Sequence, residues 1–438
     1  MDRNVSNGVK VFQAACKGCV NCIKSCPTEA IRVINGNIRM IPELCIDCGE
    51  CLRVCNKKAL GLEEDDWDVI LAHPPVVAAA DPTFFSQFGA YWRPALLREA
   101  LLSQGVDLLW DEMSFAYDQA ALAVAKIIER SPREHRPLIS TYCPAVIRLI
   151  QVRFQELLGR LVPVQNPLDA AVDRFRARVG REVPVTLFAP CPAKITMARD
   201  PVCRSDSPID HVVSVRRVTR SLLASGPQVP SEIPELEGRR WLKWALRGGE
   251  SRHVRAMAEK PLVTLAVSGM RNALDVLQEV ELGRLKGVDF LEVRVCDLGC
   301  IGGIATAESR FLSSLRLQSV PSEWDVTPER RAQLEEAYPR NEWAFERPIL
   351  PRPRIPLSDN LSEAMAKLKE MKAIHAELPH IDCGSCGRPS CRAMAEDIVR
   401  GEGEVTDCIF KLRESIADMA GRIHDLARHV PHTLKGRS

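Results

Sequence analysis

Of the seventeen cysteines in this 438-residue chain, all but Cys203 fall in spaced groups. The first run is Cys16-x2-Cys19-x2-Cys22-x3-Cys26, and the second repeats its register as Cys45-x2-Cys48-x2-Cys51-x3-Cys55. A later run reads Cys383-x2-Cys386-x4-Cys391-x16-Cys408. Between them lie Cys143, Cys191 and the pair Cys296-x3-Cys300. The N-terminus, MDRNVSNGVKVFQAAC, lacks the apolar stretch of an export signal, so the thiols are expected to stay reduced, and clustered thiols read as metal ligands. A cubane iron–sulfur cluster needs four thiolates converging from different directions. Two-residue gaps in a tight turn deliver three of them, and the fourth comes from afar.

In the bacterial two-cluster ferredoxin pattern, the fourth cysteine of each run ligates the other cluster. That assigns one 4Fe-4S cluster to Cys16, Cys19, Cys22 and Cys55, and the second to Cys45, Cys48, Cys51 and Cys26. Asn56 stands where a proline usually follows, a departure that touches no ligand. The bland reading is zinc or unliganded buried thiols, and eight cysteines in duplicate register weigh against it. The C-terminal run suits one further 4Fe-4S cluster, with Gly384, Gly387 and Pro389 permitting its turn; zinc is the alternative there. It resembles the small iron–sulfur domain of electron-transfer complex subunits. Adjacent clusters make an electron wire, which requires something at its end.

Cys143, Cys191 and Cys296 each follow a stretch of strand composition, and Cys300 closes the Gly-rich turn C-D-L-G-C-I-G-G. In open α/β sheets, sites form outside the carboxyl ends of strands. Four thiolates from three strand ends can therefore close on one cluster. The three segments resemble the signature motifs of the iron-only (FeFe) hydrogenases. Ser140-Thr141-Tyr142-Cys143-Pro144 is similar to Thr-Ser-Cys-Cys-Pro, and Ala189-Pro190-Cys191-Pro192-Ala193-Lys194 to Met-Pro-Cys-x-x-Lys. Glu292-x-Arg294-x-Cys296-x-x-Gly299-Cys300-x-Gly302-Gly303 is similar to Glu-x-Met-x-Cys-x-x-Gly-Cys-x-x-Gly-Gly. Order, spacing and all four ligand cysteines are kept. The resemblance implies an H-cluster: a 4Fe-4S cubane on Cys143, Cys191, Cys296 and Cys300, with Cys300 bridging to a di-iron unit. It also implies that Pro190 abuts the cofactor and that Lys194 hydrogen-bonds a cyanide. Asp81-Pro82-Thr83 aligns with the family's Ala-Pro-Ser contact loop. The positions that the family uses for catalysis fall on Cys300, Lys194 and Tyr142.

Several family residues are exchanged. The proton-carrying cysteine before the first ligand is Tyr142, and the glutamate after the lysine is Met197. A thioether carries no proton, and a phenol with a pKa of about 10 is a poor relay at neutral pH. The methionines that pack the di-iron unit are Ala189 and Arg294, and the first-motif tryptophan is Val146. The pattern resembles the sensory branch of the family and implies slow hydrogen turnover. The alternative for this region is a cubane with no di-iron unit, because Arg294 puts a bulky cation beside the cofactor. Cys203 has no motif partner and reads as a small buried hydrophobe.

The elements that must position these residues follow from composition and periodicity. With 46% hydrophobic and 26% charged residues, the chain is ordinary globular material of two to four domains. Apolar runs at Val76–Ala80, Leu138–Thr141, Val185–Ala189, Leu262–Val267 and Phe290–Val295 alternate with amphipathic segments such as Arg271–Leu282. That alternation predicts an α/β domain of parallel strands and crossover helices. The expected organisation is an α+β two-cluster ferredoxin-like domain over 1–62, the hydrogenase-like α/β H-cluster domain over 63–346, a proline-rich linker over 347–360, a small α-rich 4Fe-4S domain over 361–412 and a helical tail over 413–438. In the tail, Ile409, Leu412, Ile416, Met419, Ile423, Leu426 and Val430 form a heptad seam. It either packs back on its own domain or pairs two copies.

Net charge is +2, which gives no broad reason to expect nucleic acid or an anionic membrane surface as partner. No run of about 18 apolar residues predicts a membrane span. The expectation is a cytoplasmic iron–sulfur protein of the FeFe-hydrogenase type. It binds or slowly oxidises H2, exchanges protons and passes electrons through its clusters to a redox or signalling partner protein. The rivals are a working hydrogenase with a rerouted proton path and an electron carrier or scaffold without the di-iron unit.

Overall fold

The computed structural model describes residues 7–89, 93–226, 236, 238–321, 324–352 and 355–428. The chain divides into two compact units. One comprises Met1–Val11, Leu44–Arg53 and Leu60–Arg352; the other comprises Phe12–Glu43, Val54–Ala59 and Pro353–Ser438. The two cysteine runs of the N-terminal region are thereby distributed. Cys45, Cys48 and Cys51 belong to the larger unit, and Cys16, Cys19, Cys22, Cys26 and Cys55 to the smaller.

The larger unit is α/β, built on two parallel sheets. One has the strand order Val106–Leu108, Val76–Ala80, Val185–Ala189, His211–Ser214, and the other Thr264–Ser268, Phe290–Arg294, Leu138–Ile139. Strands such as VVAAA and VTLFA are buried at every position, as expected where helices cover both faces of a parallel sheet. The expected strands are all present. Val106–Leu108 and His211–Ser214 are additions, too short to stand out from their surroundings. The expected helix Arg271–Leu282 runs from Met270 to Glu281. The helix Trp110–Arg130 is buried over most of its length, with Trp110, Tyr117, Trp241 and Trp244 in the same apolar core. A two-stranded antiparallel sheet pairs Val9–Val11 with Leu60–Leu62.

The smaller unit joins segments far apart in sequence. The hairpin Ile31–Ile34/Asn37–Met40 lies against the C-terminal cysteine segment, with the Val33 amide donating to the Gly387 carbonyl at 2.8 Å. Gly387 has φ +79°, and a Cβ there would meet the Val33 carbonyl oxygen at 1.9 Å, so only glycine fits. Helices span Leu361–Glu377, Cys391–Val399 and Ile409–Ala427. Asn360 caps the first and Ser390 the second through side-chain bonds to backbone amides. Among the described residues, no helix is long and apolar enough to cross a membrane.

Candidate iron–sulfur centres

Three strand ends in the larger unit carry the central cysteines. Cys143 follows Leu138–Ile139 and caps the helix Pro144–Arg153; Cys191 follows Val185–Ala189 and caps Pro192–Arg199. In both, proline occupies the first helical turn, where its missing N–H costs nothing. The Cys-Pro pairs thus place each cysteine at the start of a helix. Cys296 follows Phe290–Arg294, and Cys300 opens the turn Cys300–Gly302. Gly299 before it has φ +109°, and a Cβ there would meet the Ala245 carbonyl oxygen at 2.4 Å.

Cys143, Cys191, Cys296 and Cys300 line one cavity with Pro190, Lys194, Arg294, Asp47 and Cys48. Burial pushes the Cys300 thiol up to about 12 and carries Cys191 and Cys296 higher than an ordinary thiol. Such groups give up their protons to a metal rather than to water, so loading the site releases protons. Among the described residues, no three His, Cys, Asp or Glu side chains come close enough to share a single metal ion. An all-thiol set spread around a cavity fits a 4Fe-4S cubane.

A di-iron unit on Cys300 fits less well. The charged neighbours of Cys300 are Lys194, Asp81 and Arg294. The Lys194 ammonium, 2% exposed, forms a buried ion pair with Asp81. Burial opposes its charge, but Asp81 and Cys300 hold it protonated above the ordinary lysine value. The Tyr142 ring lies between two cations, 3.9 Å from Lys194 Nζ and 4.5 Å from the Arg294 guanidinium carbon. Its hydroxyl is 2.9 Å from the Tyr117 hydroxyl and donates to Asp81 at 3.4 Å. Burial first, then the Asp81 charge, pushes this phenol well above 10, so it stays protonated. Arg294 donates to Glu250 at 2.6 Å and to Ser140 at 3.2 Å, and Ser140 donates to Glu250. Thr83 Oγ1 and Arg294 Nε alone in this group lack a hydrogen-bond partner among the described residues. Most polar groups around Cys300 are thus engaged with one another, leaving few to receive the ligands of a di-iron unit.

Sequence reasoning placed Cys143, Cys191, Cys296, Cys300, Pro190, Lys194 and Arg294 at this site and left Asp47, Glu250 and Tyr117 unnoticed. Asp47 is held by a buried ion pair with Arg148, by the Thr196 hydroxyl at 3.0 Å and by the Gly8 amide at 3.1 Å. Its signal was a charged residue inside a cysteine run. Glu250 and Tyr117 carry none, since both sit in ordinary helical sequence.

In the smaller unit, Cys22 lies in the short helix Asn21–Ser25 with Cys16 and Cys19 as electrostatic neighbours. Cys26 Sγ accepts the Ala30 amide at 3.2 Å. Cys55 follows the helix Glu50–Val54. Cys391 and Cys408 share a small core with Leu378 and Met394, Cys386 packs against it, and Cys383 faces Cys386 electrostatically. The Ser385 amide and hydroxyl hold the Cys383 thiol below its ordinary value. Asp397 accepts from Arg32 at 2.7 Å and from Arg388 at 3.1 Å, so one buried carboxylate ties the hairpin to the C-terminal segment. Cys203 is buried, and its thiol is pushed up to about 12 by burial, in keeping with an inert packing residue.

Residues 74–250 match the family Iron only hydrogenase large subunit, C-terminal domain. Residues 9–56 match the 4Fe-4S dicluster domain, and residues 378–410 an Fe-S cluster family. Together these matches support an iron–sulfur, hydrogenase-like protein with a ferredoxin-like segment. Its fold is similar to that of an FeFe-hydrogenase studied for oxygen inactivation through modification and degradation of the H cluster 2Fe subcluster. That likeness has a TM-score of 0.51 and 15% identity, over 65% of this chain and 98% of that one. Variants of the FeFe-hydrogenase HydA1 from Chlamydomonas reinhardtii, one of them an apo form, align with TM-scores of 0.48 and 0.49 at the same identity and coverage. No curated protein matches the chain in sequence. The N-terminal and C-terminal segments match iron–sulfur cluster domains, and residues 74–250 are hydrogenase-like.

Proposed function

We propose that this hydrogenase-like chain is an electron-relaying, redox-sensing protein whose central cysteines hold a 4Fe-4S cluster without a di-iron unit. One observation carries the reading. Lys194 is committed to Asp81, and Tyr142 fills the space between Lys194 and Arg294. The pair gives the Lys194 ammonium a buried carboxylate as its counter-charge, where the family's lysine has an anionic ligand of the cofactor, and it engages one of the three N–H donors.

The cysteine inventory then serves four 4Fe-4S clusters: two in the ferredoxin-like segment, one on Cys143, Cys191, Cys296 and Cys300, and one on Cys383, Cys386, Cys391 and Cys408. Hydrogen bonds to sulfur and local charge set cluster potentials. The Ala30 amide on Cys26, the Ser385 contacts on Cys383 and the cation pair beside Cys300 are such groups. Electrons come from and leave to a redox partner protein, and a reducing, cytoplasmic setting belongs to this reading.

A second reading, H2 binding at a complete H-cluster, is favoured by the retained Cys300 and Lys194 in one cavity. Reconstitution with iron and sulfide separates the two. The relay reading expects about sixteen irons per chain, reversible one-electron chemistry and no H2 oxidation after exposure to a synthetic di-iron cofactor. Hydrogen turnover by the treated wild-type protein contradicts it.

A further inference from the structure

The helix Ile409–Ala427 begins at Cys408 and has no buried residue. Ile409, Leu412, Ile416, Met419, Ile423 and Leu426 all face one side and are between 41% and 74% exposed. The seam therefore does not fold back on its own unit among the described residues; Val430 lies outside them. We infer that this face is covered by the same helix of a second copy, in parallel, and that the pairing sets the two Cys408 iron–sulfur centres side by side for electron exchange between protomers. The inference rests on Cys408 ligating a 4Fe-4S cluster.

Residue choice selects this occupant. Isoleucine holds every a position (409, 416, 423), and leucine or methionine every d position (412, 419, 426). β-Branched residues at a with leucine at d favour two parallel strands. Across a parallel seam, Ser415 faces Ala420 and Arg422 faces Ala427, so no like charges oppose each other. Six side chains bury on the order of 500 Å² per helix, about 1,000 Å² for the pair, the lower edge of a specific interface.

Direction matters because of Cys408. Parallel helices lie about 8–10 Å apart, so both Cys408 backbones start the coiled coil together. An antiparallel pair separates them by the helix length, about 28 Å for 19 residues. In the parallel form one electron leaves the reduced cluster of one protomer and enters the oxidised cluster of the other. No proton or further reagent is consumed.

The test uses the full reconstituted chain, wild type and Ile416→Asp/Met419→Lys, both changes lying on an exposed face. Light scattering at micromolar concentration is expected to give twice the 48.8 kDa chain mass for wild type and half of that for the variant. The reduced wild-type protein is expected to show magnetic broadening between paired clusters by electron paramagnetic resonance, lost in the variant. A monomeric wild type overturns the inference. So does a dimer that the variant leaves intact, or a dimer whose spectrum does not change when it is split. Cys408→Ser isolates the underlying reading. Unchanged iron in it overturns the cluster assignment, while the mass still decides the seam.

Discussion

Asp81 and Lys194 illustrate what a single buried pair decides. Both are almost fully enclosed, and each is the other's charge partner. Removing one partner of such a pair leaves an uncompensated charge and costs about 3–5 kcal/mol. Asp81→Ala is expected to lose that much in denaturant unfolding, and Asp81→Ala/Lys194→Met to recover most of it, because the buried charge is then gone from both sides. Additive losses in the double variant contradict the pairing. Asp169 offers a pH test. Burial pushes its carboxyl up to about 7, against the pull of Arg204, while an unfolded aspartate titrates near 3.9. The fold therefore holds an extra proton between those values. The stability this provides is complete below about pH 4 and lost as pH rises through about 7. Asp169→Asn is expected to flatten that slope, gaining on the order of 2 kcal/mol over wild type between pH 5 and 8. An unchanged pH profile contradicts it. The cysteines, Pro190, Lys194 and Arg294 were legible because their spacing constrains chemistry. Asp81 was only weakly legible and Glu250 not at all, since ion pairing across distant strand ends leaves no periodic trace.

At the scale of elements, the parallel strands were readable as unbroken apolar runs. Val106–Leu108 and His211–Ser214 were not, because three or four residues do not separate strand from loop composition. The positions of Cys143 and Cys191 after strands were also readable, while the helices that begin at the prolines next to them came from the structure. The partnership of the hairpin Ile31–Met40 with the C-terminal cysteine segment was invisible in sequence, because residues more than 350 positions apart make it. Gly387→Ala tests that partnership. Its Cβ collides with the Val33 carbonyl and its backbone sits at positive φ, so the substitution is expected to cost about 1–3 kcal/mol. Thermal unfolding of the smaller unit measures that loss. The C-terminal cluster signal is expected to broaden as its surroundings loosen. Wild-type stability in this variant contradicts the contact.

The whole molecule keeps the hydrogenase-like fold and its four central cysteines while exchanging the residues that handle protons and the di-iron unit. Tyr142, Asp81 and Arg294 do not merely weaken a catalytic site. They engage one another in a buried network of ion pairs and hydrogen bonds, the basis of the proposed relay of clusters. The most direct test is infrared spectroscopy of the reconstituted protein after incubation with a synthetic di-iron cofactor, in the region where metal-bound CO and cyanide absorb. The account predicts four intact cubanes and no protein-bound CO or cyanide bands. Bands that persist after desalting and shift under hydrogen would show that Cys300 carries a di-iron unit, contradicting the relay reading.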